Sequence, residues 1–141
     1  MSSRSLDDLS PMFRPCADAF LQQCETYGLD VLVYCTLRSL AEQASLYAQG
    51  RTTPGRIVTN ARPGSSAHNF GLALDGVPLL NGKPIWDEPL SGPNWQLYAQ
   101  AARRAGCQWG GDWIGSLVEG PHVEIADWRS YIPPPQGALP T

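Results

Sequence analysis

Both histidines of the chain sit in clusters able to bind a metal. His68 lies in Ser66-Ala67-His68-Asn69-Phe70-Gly71-Leu72-Ala73-Leu74-Asp75, and His122 lies in Glu119-Gly120-Pro121-His122-Val123-Glu124. Two imidazoles and one carboxylate, with a fourth position left to water, form the ligand set of a catalytic zinc site rather than a structural one. A further carboxylate, Glu119, stands three residues before His122 and could move protons, so the pattern points to metal-assisted hydrolysis. His68 and Asp75 are seven positions apart, so on one regular strand they would face opposite sides. His68 is therefore expected on a turn ahead of a strand that projects Asp75. Gly71 and Ala73 let backbone and ion approach closely. Pro121 stiffens the approach to His122, and Gly120 allows the turn that brings Glu119 back over the metal. Glu124 could share a strand face with His122, either orienting it or replacing Glu119 as the base. Zinc fits these donors, which also serve iron or manganese.

Composition bounds the rest. The chain has 141 residues, 43% of them apolar and 16% charged, enough for one domain with a real core. Its net charge of −3 offers no basic surface for phosphates, which excludes nucleic acid as a partner. No apolar run reaches the ~20 residues that span a bilayer, and the polar N-terminus carries no secretory signal. Membrane insertion is not expected. Of the four cysteines, Cys16 and Cys24 fall on one predicted helix. Their separation of roughly 12 Å exceeds the ~7 Å reach of a disulfide. They read as buried reduced thiols.

The elements that must position the clusters follow from periodicity and punctuation. Pro15 opens a first helix with the stripe Cys16, Phe20, Cys24 and Tyr27, and Gly28 closes it. Residues 29–37 read as a strand. Ser39-Leu40-Ala41-Glu42 is a capping box, with Leu40, Ala44 and Tyr47 as the inner stripe of a second helix. Residues 51–66 form a long loop expected to line the site. Residues 70–77 read as a strand, and Asn81-Gly82 marks a hairpin. Trp95, Tyr98, Ala102 and Ala105 stripe a third helix, closed by Gly106. Cys107 to Trp109 and His122 to Ile125 are short strands. The expected fold class is α+β, a small, mainly antiparallel sheet with about three helices. One domain spans residues 1–128, followed by a Pro-rich extended tail, 129–141.

The run Ser66-x-His68-x-x-Gly71-x-Ala73-x-Asp75, followed by Glu119-x-x-His122, resembles the zinc DD-peptidases of VanY and VanX type. More narrowly it resembles the phage L-alanyl-D-glutamate peptidases, which are endolysins. Arg4 to Leu9, Leu37-Arg38-Ser39, Glu42-Gln43, Leu46 to Thr52 and Trp109-Gly110-Gly111-Asp112-Trp113 share that look, so the likeness covers roughly Arg4 to Asp127. The resemblance implies the zinc DD-peptidase (hedgehog-like) fold and one Zn2+ per chain held by His68, Asp75 and His122. It implies Glu119 as the acid/base, Arg38 beside the carbonyl oxygen as it gains charge, and Ser66, Trp109 and Trp113 in contact with substrate. Arg51 and Arg56 could meet substrate carboxylates, though nothing in the pattern singles them out.

The implied activity is hydrolysis of the L-Ala–D-Glu bond of the murein stem peptide, and with it lysis of the cell wall. A D,D-carboxypeptidase or D-Ala-D-Ala dipeptidase is the alternative within the family, and an inactive wall-binding or phage structural module the alternative outside it. A monomer is expected, made in the host cytoplasm and acting at the wall in the periplasm after release by a holin or similar partner. Two departures stand out: Glu119 where the phage enzymes commonly carry Asp, and Val123 in place of a frequent aromatic.

Overall fold

The structure, a computed structural model, describes residues 2–114 and 118–132. Among these, three α-helices accompany one five-stranded antiparallel sheet. Helix α1, Arg14–Thr26, has Pro15 in its first turn and ends at Gly28, whose φ of +70° is a backbone state L side chains rarely adopt. Its inward stripe runs through Ala17, Phe20 and Cys24, with Cys16 only half-buried at the margin. All four cysteines are free thiols.

Strand β1, Asp30–Cys35, leads to helix α2, Leu40–Ala48, where the Ser39 side chain accepts from the Glu42 N–H at 3.0 Å, the expected cap. The expected inner stripe of α2 is corrected. Leu40 is 56% exposed, Ala44 is exposed and Tyr47 only half-buried, while the one buried residue is Gln43. This short helix packs over a polar cluster instead of the core, so apolar periodicity does not report its inner face.

Strand β2, Ala73–Leu80, starts later than expected because Phe70 belongs to a 3-10 turn, Ala67–Phe70. Gly71 ends that turn at φ +68°, and a Cβ there would lie 2.8 Å from the Ser10 nitrogen. Asn81 and Gly82, both at positive φ, make the two-residue turn to β3, Lys83–Pro84. Helix α3, Pro93–Arg104, buries Trp95, Tyr98 and Ala102 as expected, while Ala105 lies past its end. Strands β4, Cys107–Trp109, and β5, His122–Ile125, fall where the sequence places them.

The sheet order is β1-β2-β5-β4, with β3 paired to β2. Helices α1 and α3 pack on each other and on the sheet, with the Phe20 and Tyr98 rings edge-on at 4.9 Å. Packing continues beyond residue 128: Trp128 is buried and stacks on Phe70, and Ile132 packs against the core. The proline run 133–135 lies outside the described residues. No helix among the described residues is long and apolar enough to cross a membrane.

Candidate metal centre

Register puts the chemistry on one side of the sheet. Asp75 on β2 is the cross-strand partner of His122 on β5 and of Cys35 on β1, beside an irregularity in the β1 pairing. Gly76 faces α3, since a Cβ there would lie 3.0 Å from the Tyr98 hydroxyl, so its neighbour Asp75 projects to the opposite face. His68 reaches the same point from the 3-10 turn ahead of β2, where Ser66 caps by accepting from the His68 N–H at 3.3 Å. The Tyr98 hydroxyl and the Gly76 N–H both donate to the Pro121 carbonyl, at 2.5 and 3.1 Å, and fix the entry to β5.

Asp75 Oδ1 lies 3.1 Å from His68 Nε2 and 3.3 Å from His122 Nδ1. Its other oxygen, Oδ2, faces Arg38 at 3.6 Å. Each imidazole is held from behind by its second nitrogen. His68 Nδ1 donates to the Thr36 carbonyl at 2.9 Å, and His122 Nε2 donates to Glu124 Oε1 at 2.7 Å. These bonds leave His68 Nε2 and His122 Nδ1 as the inward lone pairs, the arrangement metal-ligating histidines adopt.

Those two nitrogens and Asp75 Oδ1 are all buried with no hydrogen-bond partner of acceptable geometry. A buried polar atom left unsatisfied costs roughly 1–3 kcal/mol, so three converging at one point call for a cation. The donor set fits a divalent metal. In the metal-free protein, burial works against charge on His68, but Asp75 beside it prevails and raises its pKa to about 10. His122 is raised in the same way against its burial, by Asp75 and Glu124. A metal entering here displaces protons.

Cys35 offers a competing set, since its Sγ, His68 and Asp75 place ligand atoms within 4.8 Å of one another. The three unsatisfied atoms mark the better site. Cys35 Sγ already accepts from Arg38 at 3.5 Å and lies 3.7 Å from Nδ1, the nitrogen of His68 that faces away from Asp75.

Glu119 enters from the turn before β5, which the His122 N–H closes by donating to the Glu119 carbonyl at 3.2 Å. Its Oε2 lies 3.7 Å from His122 Nδ1, and its half-exposed side chain borders the cleft. Burial pushes its carboxyl above the ordinary value, with His122 acting in the opposite direction. Gly110 makes this approach possible, because a Cβ there would fall 2.3 Å from the Glu119 carbonyl oxygen and 2.9 Å from His122 Cβ. Glu124, by contrast, is 7% exposed and bonded to His122, so it orients that ring.

Arg38 is fixed from three directions. It donates to Gln43 Oε1 at 3.0 Å, pairs with Asp75, and its backbone N–H donates to the His68 carbonyl at 2.9 Å. Gln43 in turn donates to the Ala61 carbonyl at 2.7 Å, tying α2, Arg38 and the 51–66 loop together. That loop lines a cavity of about 570 Å³ along with Arg38, Ser66, Trp113, Glu119 and His122. A second cavity of about 340 Å³ meets the first at Arg38, Thr59 and Glu119.

Two sequence expectations change. Trp109 is 4% exposed and donates its indole N–H to the Gly120 carbonyl at 2.6 Å, so it supports the Glu119 turn and forms no groove wall. Arg51 is committed to the loop, donating to the Tyr47 and Thr59 carbonyls with its guanidinium 3.9 Å from the Tyr47 ring centroid. Arg56 lines neither cavity. Trp113 does border the cleft, its ring 4.9 Å from that of His122. Cys35, Thr36 and Gln43 went unnoticed as site residues because strand register and a polar helix face leave no apolar pattern.

Similarity to known proteins agrees with this geometry. Residues 8–89 match the VanY family model and residues 59–125 a second peptidase model, both described as D-alanyl-D-alanine carboxypeptidase. The chain is 40% identical over 124 residues to the peptidoglycan L-alanyl-D-glutamate endopeptidase CwlK of Bacillus subtilis, covering 84% of this chain and 74% of that protein. It is 32% identical over 133 residues to an L-alanyl-D-glutamate peptidase of a Listeria phage, covering 92% of this chain but only 43% of the phage protein. Among solved structures, the Serratia marcescens L-Ala D-Glu endopeptidase ChiX superposes with a TM-score of 0.63 at 26% identity, covering 93% of this chain and 92% of that one. With one family model spanning more than half its residues and a relative this close in sequence, the chain belongs to the VanY-type D-alanyl-D-alanine carboxypeptidase family of peptidases.

Proposed function

We propose that this protein is a zinc-dependent peptidoglycan endopeptidase that hydrolyses the L-Ala–D-Glu bond of the stem peptide. The observation that carries the reading is the convergence of His68 Nε2, Asp75 Oδ1 and His122 Nδ1, buried and unsatisfied, beside Glu119. These three residues would hold the metal. What a divalent ion supplies there when bound is Lewis acidity toward water and the scissile carbonyl. Glu119 takes a proton from the attacking water and delivers it to the leaving amine nitrogen as the peptide bond breaks. Arg38, its orientation set by Gln43, faces the carbonyl oxygen as negative charge develops. Thr36 and Glu124 hold the two imidazoles in the required tautomers.

Cutting within a chain needs room on both sides of the scissile bond. The two cavities that meet at Arg38 and Glu119 provide it, which favours an endopeptidase over removal of a terminal D-Ala. The position of Glu119 beside the ligands argues against a catalytically silent wall-binding module. Likeness to a phage peptidase supports a lytic role, with a holin-type partner releasing a monomeric enzyme to the wall. Mass spectrometry of muropeptides digested with the zinc-loaded protein tests the bond assignment. Release of products cut between L-Ala and D-Glu is expected; release of D-Ala alone would assign a carboxypeptidase instead.

The role of Glu124 has its own check. Glu124→Gln should weaken zinc affinity by about 10–100-fold, with turnover largely restored at saturating zinc. If Glu124 were the base, affinity would hold while turnover disappeared at every zinc concentration.

A further inference from the structure

The two cavities meeting at Arg38 differ in charge. The smaller is lined by Leu46, Val58, Val118 and Pro121 together with the carboxylates Asp75 and Glu119, with Arg38 its one cation among the described residues. The larger carries Arg62 from the 51–66 loop and Arg129 from the 3-10 turn after β5, in addition to Arg38, against the two carboxylates Glu119 and Glu124. Neither Arg62 nor Arg129 pairs with a carboxylate among the described residues, whereas Arg14, Arg38 and Arg103 all do. Both are exposed, yet both are braced on aromatic rings. The Arg62 guanidinium lies 5.6 Å from the Tyr47 ring centroid with its Nε–H donating to the Tyr47 hydroxyl at 3.3 Å, and Arg129 lies 4.4 Å over Trp128. Trp128 is itself buried, so that brace is anchored in the core. Two guanidiniums held in place, with no carboxylate partner among the described residues, can offer charge-assisted hydrogen bonds to an anionic group of a substrate.

We propose that Arg62 and Arg129 are specificity-determining residues that bind the free α-carboxylate of D-Glu, drawing the acidic half of the stem into the larger cavity and leaving L-Ala to the smaller one. This rests on the endopeptidase reading above. In murein D-Glu is linked onward through its γ-carboxyl, so its α-carboxylate remains an anion next to the bond being cut. Where that group is amidated, as D-isoglutamine, the anion is gone and the shape is nearly kept. The chemistry therefore supplies a matched pair of substrates.

The experiment compares kcat/KM for one muropeptide in its D-Glu and D-isoglutamine forms, using zinc-loaded wild type, Arg62→Gln, Arg129→Gln and the double variant. Wild type should prefer the D-Glu form by about tenfold or more, the size expected for a hydrogen bond to a charged group. The double variant should bring that ratio close to one, with each single variant in between; a single variant that leaves the ratio at the wild-type value removes that arginine from the assignment. Melting midpoints close to wild type would confirm that the exposed substitutions leave the fold intact. Equal cleavage of both forms by wild type, or a preference that survives in the double variant, overturns the assignment. Absence of cleavage at L-Ala–D-Glu in either form overturns the endopeptidase reading itself, and this one with it.

Discussion

Glu119→Gln should reduce muropeptide hydrolysis by about 10²–10⁴-fold, the range a positioned proton carrier contributes, while the protein still binds zinc. The reason is geometric. Glu119 Oε2 stands 3.7 Å from His122 Nδ1 but takes no part in the tight contacts among His68, Asp75 and His122. Glutamine keeps the size and removes the basic, titratable carboxylate that takes up and releases the proton. Because burial already raises the Glu119 carboxyl above its ordinary value, a neutral amide there should not destabilise the fold. Metal content by mass spectrometry, a thermal melt and a turbidity assay on permeabilised cells together make the check. Full lysis by the variant would remove Glu119 from the mechanism.

Asp75→Ala should be harsher, losing zinc and activity together. Oδ1 lies between two imidazoles and Oδ2 faces Arg38, so the substitution strips three polar groups of their common partner at once. Breaking a buried ion pair by removing one side costs about 3–5 kcal/mol, and the variant should melt well below wild type even when both are metal-free. The pH dependence of that difference has a defined sign. His68 has a folded pKa raised to about 10, so the stabilisation it draws from Asp75 is complete below its unfolded value of about 6.5 and fades as pH rises through 10. Asp75 is lowered against its own burial by the two histidines, so its share is present above about 4 and is lost in strong acid. Melts of the metal-free proteins should therefore differ most between about pH 4 and 6.5 and converge in alkali. A gap that widened as pH rose above about 6.5 would contradict the contacts described here.

Much of the framework was legible because it follows local rules. The seven-residue step from His68 to Asp75 demanded a turn before a strand, and the chain has one, capped by Ser66 and ended by Gly71. The Ser39 cap, the Asn81-Gly82 hairpin and the stripe of α3 are likewise read within a few residues. Helix α2 shows where such reading stops. Its inner face is set by Gln43 bridging Arg38 and the Ala61 carbonyl, groups 5 and 18 positions away, while Leu40 and Ala44 of the expected stripe are exposed and Tyr47 is half-buried. Trp109 is a similar case: an aromatic in a Gly-rich segment suggests a groove wall, and only its bond to the Gly120 carbonyl reveals a buried brace.

By itself the sequence determined which groups were present to do chemistry, how each histidine's own segment had to bend, and which family the motifs resemble. The tertiary structure decided how those segments meet. Pairing of β2 with β5 places Asp75 opposite His122 from 47 positions away, and the backbone at Thr36 and the carboxylate at Glu124 select which nitrogen of each ring faces inward. The physical reason is that strand register and imidazole tautomer are fixed by partners across the sheet. A one-residue slip would turn Asp75 to the other face without altering any local pattern.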